Sequence, residues 1–179
     1  MHLVTVGLNH KTAPVEVREC LTFSGDHLAE GMLNLVRRPH VREGVILSTC
    51  NRTEVYGAVD ALHAGVREIT GFLRSCLKQP DLPLEEYLYT LSDLEVVQHL
   101  FSVAAGLDSM ILGEAQILGQ VKNAFHLALE RGAVALHLGK LFRHAVEVGK
   151  RVRTETEIGE SAVSVSYAAV ELARKIFGE

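Results

Sequence analysis

The amino-acid sequence predicts an α+β fold, in which a ferredoxin-like split β-α-β-β-α-β sandwich precedes a helical segment and a long C-terminal helix. In the first 91 residues, short apolar runs alternate with segments whose apolar residues have helical spacing. After residue 91 only the helical spacing continues. Hydrophobic residues make up 47% of the 179 residues, which is typical of a chain that buries a core.

The first strand is predicted over residues 3–8, which form a short apolar run. A loop with a short helical piece is expected after it, as far as residue 23. Ser24 is a typical N-cap residue, and the apolar residues that follow it lie on one helical face. Pro39 is expected to end this helix, because proline cannot continue the backbone hydrogen bonds.

The second and third strands are predicted over residues 44–48 and 53–59, in register for a hairpin. A helix is predicted over 65–77, where apolar residues again have helical spacing. Two prolines interrupt the chain after it, and the fourth strand is predicted over 87–91. These elements complete the sandwich.

The second half of the chain is predicted to be helical. Ser92-Asp93-Leu94-Glu95 has the pattern of a capping box, which opens a helix that ends near Gly106. Further helices are predicted over 114–131 and 136–153, followed by a bend over 154–160. The last helix is predicted over 162–177, and its apolar surface indicates a partner beyond the end of this chain.

The formal net charge of −4 argues against a protein that coats nucleic acid non-specifically, since such proteins are usually basic. Any RNA contact must therefore use a local patch. One basic cluster lies on the helix at 136–153 and consists of Lys140, Arg143, His144, Lys150, Arg151 and Arg153. Positions 140, 143, 144, 150 and 151 fall on roughly one side of the helix, which suits phosphate binding, although a solvated helix surface is the usual explanation of such runs.

The cysteines predict reduced thiols in a cytoplasmic protein. Cys20, Cys50 and Cys76 are odd in number and far apart, which is not a disulfide framework. Without a Cys-x-x-Cys pair a structural zinc site is not expected. The start of the chain resembles a strand rather than a signal peptide, and no apolar run approaches the roughly 20 residues of a membrane span.

The run Ser48-Thr49-Cys50-Asn51-Arg52-Thr53-Glu54 is the first candidate site. Cys50 directly follows a predicted strand, and a thiolate there is a nucleophile. Thr49 and Asn51 supply polar groups, and Arg52 can bind a carboxylate with two hydrogen bonds while Glu54 holds it. The spacing alone is also compatible with a small cysteine packed under the sheet.

Two further segments carry candidate residues. His99 lies on the helix that follows the capping box, where it can act as an acid or base or be a half-buried surface histidine. The stretch from Gly106 to Gln120 leads into the next helix and places polar side chains among apolar ones. Those side chains are Ser109, Glu114, Gln116 and Gln120, which suit either a small polar ligand or a solvated helix start.

The fifteen glycines include no Gly-x-Gly pair, so the sequence has no dinucleotide-binding fingerprint. Chemistry that needs a nicotinamide cofactor therefore requires a site outside this chain.

Two further motifs flank the Cys50 run and the Gly106 run. They are the segments Gly7-Leu8-Asn9-His10-Lys11-Thr12-Ala13-Pro14-Val15-Glu16-Val17-Arg18-Glu19 and Gly149-Lys150-Arg151-Val152-Arg153-Thr154-Glu155-Thr156. The four motifs together resemble glutamyl-tRNA reductase, the family that catalyses the first step of tRNA-dependent tetrapyrrole synthesis. Because they occur in the family's order over nearly the whole chain, the resemblance is specific. It favours the catalytic interpretation of Cys50.

The resemblance implies a division into domains. Residues 1–160 are similar to the family's catalytic, glutamyl-tRNA-binding domain, with a ferredoxin-like core over about 1–91 and a helical part over about 92–160. Residues 161–179 resemble the start of the spinal linker helix. The family's NADPH-binding and dimerisation domains are expected to lie outside this chain.

The resemblance also implies a mechanism. The Cys50 thiolate attacks the ester of glutamyl-tRNA, a glutamyl thioester forms, and hydride from NADPH reduces it to glutamate-1-semialdehyde. His99 matches a histidine on which the family's activity depends. The glutamate pocket is expected to consist of Thr49, Asn51, Arg52, Ser109, Glu114, Ala115, Gln116 and Gln120. The implied partners are glutamyl-tRNA, a second copy of the full-length protein and the next enzyme, glutamate-1-semialdehyde aminomutase.

Two other classes of protein remain open. One is a non-catalytic tRNA-binding or regulatory module, against which the intact Cys50, Arg52 and His99 argue. The other is a thiol-dependent glutamyl-tRNA hydrolase, which would be expected to carry a second histidine motif near the cysteine.

Overall fold

The computed structural model describes residues 1–159, 170 and 173–177. Four antiparallel strands form one sheet in the order β2-β3-β1-β4. Their bounds are β1 His2–Asn9, β2 Val41–Ser48, β3 Arg52–Val59 and β4 Tyr89–Ser92. The predicted mixture of helices with a four-stranded antiparallel sheet is confirmed.

Helices precede, separate and follow the strands. They are α1 Val15–Cys20, α2 Gly25–Val36, α3 Leu62–Ser75, α4 Leu94–Ala104, α5 Ala115–Glu130 and α6 Leu136–Glu155, with short 3-10 turns at Leu84–Glu86 and Glu157–Gly159. The C-terminal linker helix predicted over 161–179 lies outside the described residues, apart from helical backbone at 170 and 173–177.

Helices cover both faces of the sheet, as the alternation of side chains along β3 shows. A Cβ atom at Gly57 would meet Ile69 of α3, so this position faces the first helical layer. The preceding residue, Tyr56, points to the other face and packs edge-on against Phe142 of α6, with ring centroids 5.3 Å apart. Every residue of β3 is buried as a result. Strand β3 is therefore the centre of the molecule.

Predicted element boundaries shift by a few residues where tertiary contacts decide them. Strand β4 begins at Tyr89 rather than at residue 87, because Tyr87 N–H donates to Leu84 O and closes a 3-10 turn. Helix α6 continues to Glu155, so the bend expected from residue 154 is confined to the residues after it. The backbone bends only where the helix has ended.

The predicted capping box at the start of α4 is only half formed. The Glu95 carboxylate accepts a hydrogen bond from the Ser92 N–H at 3.1 Å, as in such a box. However, Asp93 is the N-cap residue, and its carboxylate accepts from Leu3 N–H at 3.1 Å instead of capping its own helix. The chain thus passes from β4 into α4 through Asp93, which is hydrogen-bonded to β1.

Helix α6 is capped by a side chain from the sheet. The buried carboxylate of Glu43 on β2 accepts hydrogen bonds from the backbone N–H groups of Ala135, His137 and Leu138, each at 2.9 Å. Burial alone would raise the pKa of Glu43, but these N–H donors together lower it. The start of α6 is thereby fixed to β2.

Candidate active site around Cys50

Cys50 lies at the tip of the turn that joins β2 to β3, and it is exposed. The hydroxyl of Thr49 accepts hydrogen bonds from the N–H groups of Asn51 and Arg52, both at 3.1 Å. Thr49 N–H in turn donates to Arg52 O at 2.8 Å. Thr49 therefore shapes the turn that presents the thiol.

The segment after β1 supports this turn from behind. Arg18 Nε donates to the Cys50 carbonyl at 3.2 Å, and His10 N–H donates to Asn51 O at 2.9 Å. Burial and the nearby charge of Arg52 lower the pKa of His10, so its ring is neutral at neutral pH. The two hydrogen bonds to the turn explain why the segment around His10 and Arg18 occurs together with the Cys50 run among the four motifs.

A small cleft of about 20 Å³ opens beside the turn. Eight of the ten predicted site residues line it, namely Thr49, Cys50, Asn51, Arg52, Ser109, Glu114, Gln116 and Gln120. Ile117 also lines the cleft, and the sequence did not single it out because an apolar residue at helical spacing normally indicates core. The turn and the start of α5 thus form two walls of one site.

The remaining two predicted residues have other surroundings. Ala115 is the exposed first residue of α5, next to the cleft residues Glu114 and Gln116. His99 on α4 lines a neighbouring cavity, whose other lining residues are Asn9, Lys11, Thr12, Tyr89, Leu91 and Asp108. The structure therefore separates His99 from the group around Cys50.

Arg52 forms the back of the cleft, with only 1% of its side chain exposed. Its Nη1 donates to Glu54 Oε1 at 2.6 Å, and its Nη2 donates to both the carbonyl (2.6 Å) and a carboxylate oxygen (3.1 Å) of Asp108. Burial would lower the pKa of Arg52, but Glu54 and the other acidic groups raise it overall. Arg52 is a permanent cation fixed between two carboxylates.

Glu54 is fully buried and connects Arg52 to His99. The hydroxyls of Tyr56 and Tyr89 donate to its carboxylate, and His99 Nε2 lies 3.0 Å from Oε1. Burial alone would raise the pKa of Glu54, but the His99 hydrogen bond and the charge of Arg52 lower it to about 2. Because an ionised carboxylate only accepts, Nε2 of His99 carries the proton in this bond.

Comparisons with known proteins show the family to which this chain belongs. The sequence model of the family described as "Glutamyl-tRNAGlu reductase, N-terminal domain" matches residues 6–156. This chain belongs to the glutamyl-tRNA reductase family.

Individual members of the glutamyl-tRNA reductase family align with almost the entire chain. The protein named glutamyl-tRNA reductase in Geobacillus thermodenitrificans is 52% identical over 178 residues, which are 99% of this chain and 39% of that protein. The one from Bacillus subtilis is 48% identical over the same shares of the two proteins. The chain thus spans about two fifths of the length of the curated glutamyl-tRNA reductases that it matches.

A solved structure of a glutamyl-tRNA reductase also matches. The enzyme from Methanopyrus kandleri superposes with a TM-score of 0.74 at 39% sequence identity, over 97% of this chain and 39% of that one.

Among the residues described for this member of the glutamyl-tRNA reductase family, no helix is long and apolar enough to cross a membrane. The same residues contain no group of three or more His, Cys, Asp or Glu side chains suited to a metal ion.

Proposed function

We propose that this chain forms the glutamyl thioester in the NADPH-dependent reduction of glutamyl-tRNA to glutamate-1-semialdehyde. The observation that carries the proposal is the cleft, in which an exposed Cys50 thiol stands beside hydroxyl, amide and carboxylate groups. The family's name supports the choice of glutamyl-tRNA.

The step assigned to Cys50 is an acyl transfer. Sγ attacks the carbonyl carbon of the ester that joins glutamate to the terminal ribose, and a C–S bond forms. The C–O bond to the ribose then breaks, and the proton lost by the thiol ends on the departing ribose hydroxyl. No electrons are gained or lost in this step. It converts an oxygen ester into a thioester, the more reactive acceptor for a later reduction.

The cleft residues suit the polar groups of a glutamyl substrate. Nη1 and Nη2 of Arg52 donate to Glu54 and Asp108, and we assign its Nε–H to the substrate carboxylate. Glu114 offers a carboxylate for the ammonium group of the substrate. The amides of Gln116 and Gln120 are suited to the remaining oxygen atoms of the glutamyl group. Ser109, Asn51 and Ala115 complete the proposed pocket.

His99 is proposed as a positioning residue rather than as a contact to the reacting ester. Its Nε2–H holds Glu54, and Glu54 holds Arg52 at the back of the cleft. Loss of His99 would therefore weaken binding of the substrate carboxylate indirectly, through the His99–Glu54 and Glu54–Arg52 hydrogen bonds. This accounts for the dependence of activity on His99 that the resemblance implies.

The residues of this chain do not fit the nicotinamide cofactor. Dinucleotide-binding folds use a parallel sheet with a glycine-rich turn, whereas every strand pairing described here is antiparallel. The sequence has no Gly-x-Gly pair. No step through NADPH is therefore assigned to this chain, and we place its binding in the part of the relatives that this chain does not span.

The proposal extends to the organisation of the full-length protein. Residues 1–160 would be the catalytic domain, with a ferredoxin-like core over about 1–91 that the strand order β2-β3-β1-β4 supports. Residues 161–179 would begin the linker helix to the NADPH-binding and dimerisation domains. The protein would act in the cytoplasm as a homodimer and pass its product to glutamate-1-semialdehyde aminomutase.

Trapping the acyl-enzyme tests the proposal. After incubation with labelled glutamyl-tRNA, mass spectrometry should find glutamate on Cys50, and Cys50→Ser should abolish the adduct because a neutral hydroxyl is a far weaker nucleophile. Cys76→Ser is the matched control and should retain it, since Cys76 is half-buried and burial raises the pKa of its thiol.

The other outcomes separate the competing functions. Glutamate on Cys20 or Cys76 would contradict the assignment of the nucleophile, and binding of RNA without any adduct would indicate a non-catalytic module. With NADPH present, this chain should release only free glutamate. Formation of semialdehyde would contradict the placement of the cofactor site outside it.

A further inference from the structure

One wall of the Cys50 cleft belongs to the loop of residues 106–114, which we term the cleft loop. It connects the end of α4 at Ala104 to the start of α5 at Ala115. Gly113 N–H donates to Gly106 O at 3.0 Å, so the two ends of the loop are hydrogen-bonded to each other. Ser109 and Glu114 of this loop line the cleft. The position of the loop therefore sets the shape of the site.

The end of α6 holds this loop directly. Arg153 Nη1 donates to the carbonyl of Gly113 at 3.0 Å. Gly113 has a φ of +78°, and a Cβ atom there would lie 2.0 Å from the carbonyl oxygen of Ile158. The chain just after α6 consequently packs on the loop backbone with no space for a side chain. The residue next to this contact is Glu114.

A second close approach lies one turn earlier on α6. A Cβ atom at Gly149 would be 2.7 Å from Ala104 O and 2.8 Å from Leu118 Cδ1. Ala104 precedes the cleft loop and Leu118 follows it, so α6 contacts both helices that carry the loop. Residues four apart share a helix face, which brings Arg153 to the same side as Gly149.

Arg153 differs from its neighbour Arg151. Arg151 is exposed and pairs with Glu155 on the surface of the same helix, at 2.9 Å. Arg153 is partly buried and reaches 40 residues back along the chain to a backbone carbonyl. A solvated helix surface explains Arg151 but does not explain the long-range contact of Arg153.

We propose that Arg153 is a positioning residue of the Cys50 site. By holding the Gly113 carbonyl, it fixes where Ser109 and Glu114 stand relative to the thiol. Arg153 does so from outside the cleft, through the loop. The inference deepens the proposed function and rests on it, because it takes the glutamyl group as the ligand of the cleft.

Single-turnover transfer of glutamate from glutamyl-tRNA to Cys50 tests this role. Arg153→Ala should raise the half-saturating concentration of glutamyl-tRNA about tenfold, as for the loss of one hydrogen bond to a charged group. Arg153→Lys should restore part of the loss, because it keeps a charged donor. Alkylation of Cys50 by iodoacetamide should keep its rate, since the turn that presents the thiol is intact.

Arg74→Ala is the matched control. Arg74 lies in the last turn of α3, which packs on the opposite face of the sheet, and it pairs with Glu85 at the surface. Its loss should change neither the half-saturating concentration nor the alkylation rate. A general effect of removing an arginine from a helix end would appear in both variants.

Hydrogen exchange provides a measurement without RNA. The amides of residues 106–114 should exchange faster in Arg153→Ala than in the wild type. If the wild type is not acylated, the proposed function fails, while the exchange result still decides whether Arg153 holds the loop. Wild-type half-saturation or wild-type exchange in Arg153→Ala would overturn the inference. Arg153→Gln retains more of the side chain and answers both questions if the alanine variant does not fold.

Discussion

At the scale of single residues, Glu54 determines the geometry of the back wall of the cleft. Its buried carboxylate is the less exposed of the two counter-ions of Arg52, which is itself only 1% exposed. Removing one partner of a buried ion pair is strongly destabilising, and the second carboxylate beside Arg52, that of Asp108, is already shared with Lys11. The charge of Glu54, more than its shape, therefore keeps Arg52 in place.

Removing the charge of Glu54 is predicted to lower the stability of the protein. Glu54→Gln should lower the free energy of unfolding by about 3–5 kcal/mol, the usual cost of breaking a buried ion pair. Urea denaturation measures it, with Glu85→Gln as the control. The Glu85 carboxylate pairs with Arg74 at the surface, where such pairs contribute little. Equal stability of Glu54→Gln and the wild type would contradict the role of the charge.

The same pair of proteins has a defined pH dependence. The pKa of Glu54 is about 2 in the folded protein and close to the ordinary 4.5 in the unfolded chain. A carboxyl whose folded pKa is depressed stabilises the protein above its unfolded pKa and loses that contribution as the pH falls to the folded value. The stability difference between the wild type and Glu54→Gln should therefore shrink from pH 4.5 towards pH 2.

Part of the site could be predicted from local sequence alone. Thr49 to Arg52 are contiguous, and Arg52 and Glu54 share one face of β3 because strand side chains alternate. The contact of Arg52 with Asp108 joins residues 56 positions apart, and the bond from Tyr89 to Glu54 joins residues 35 apart. No spacing rule covers such pairs, so only the fold reveals them.

At the scale of elements, Glu43 joins the sheet to the helical layer. Its carboxylate takes backbone N–H groups at the start of α6, which has no cap from its own N-cap residue. Those N–H groups carry the positive end of the helix dipole, so an anion there is favourable. The hydrogen bonds from β2 thus help to fix the orientation of α6, and with it the position of Arg153.

Removal of this cap tests the connection. Glu43→Gln should lower the free energy of unfolding by about 1–3 kcal/mol, because the amide nitrogen cannot accept and leaves buried N–H groups without a partner. Thermal or chemical denaturation measures the change, and Glu30→Gln on the exposed side of α2 is the control. A loss no larger than that of the control would show that α6 does not depend on the cap.

Element boundaries could be predicted only to within a few residues, for a physical reason. Helical spacing locates α5 and α6 well, since their apolar faces are long. By contrast, β4 has four residues, and its start is set by the 3-10 turn before it and by the pairing of Tyr89 with Gly7 rather than by its own composition. A short edge strand takes its limits from its neighbour.

At the scale of the whole molecule, the site lies where the two halves of the chain meet. Arg52 and Glu54 come from the sheet, whereas Asp108 and His99 come from the helical half. The helical half covers the sheet face that carries Arg52 and Glu54, as the packing of Tyr56 on α6 shows. Helical spacing predicts the helices but not which face of the sheet they cover.

This arrangement predicts that residues 1–91 do not fold stably alone. Without α4 to α6, the cut chain would expose the buried side chains of one sheet face and leave Arg52 without Asp108. Circular dichroism during urea denaturation should show no cooperative transition for residues 1–91 and one for the full chain. A cooperative transition of the shorter chain would show that the sandwich is an independent domain.

The unequal exposure of the three cysteines has a practical consequence. Cys20 is buried and Cys76 half-buried, whereas Cys50 stands at the tip of its turn. A maleimide fluorophore should therefore attach to the native sequence at essentially one place, without any engineered cysteine. The dye would sit at the mouth of the cleft, and its emission would report changes in the surrounding walls. The chain thus carries its own attachment point for an optical sensor of the cleft.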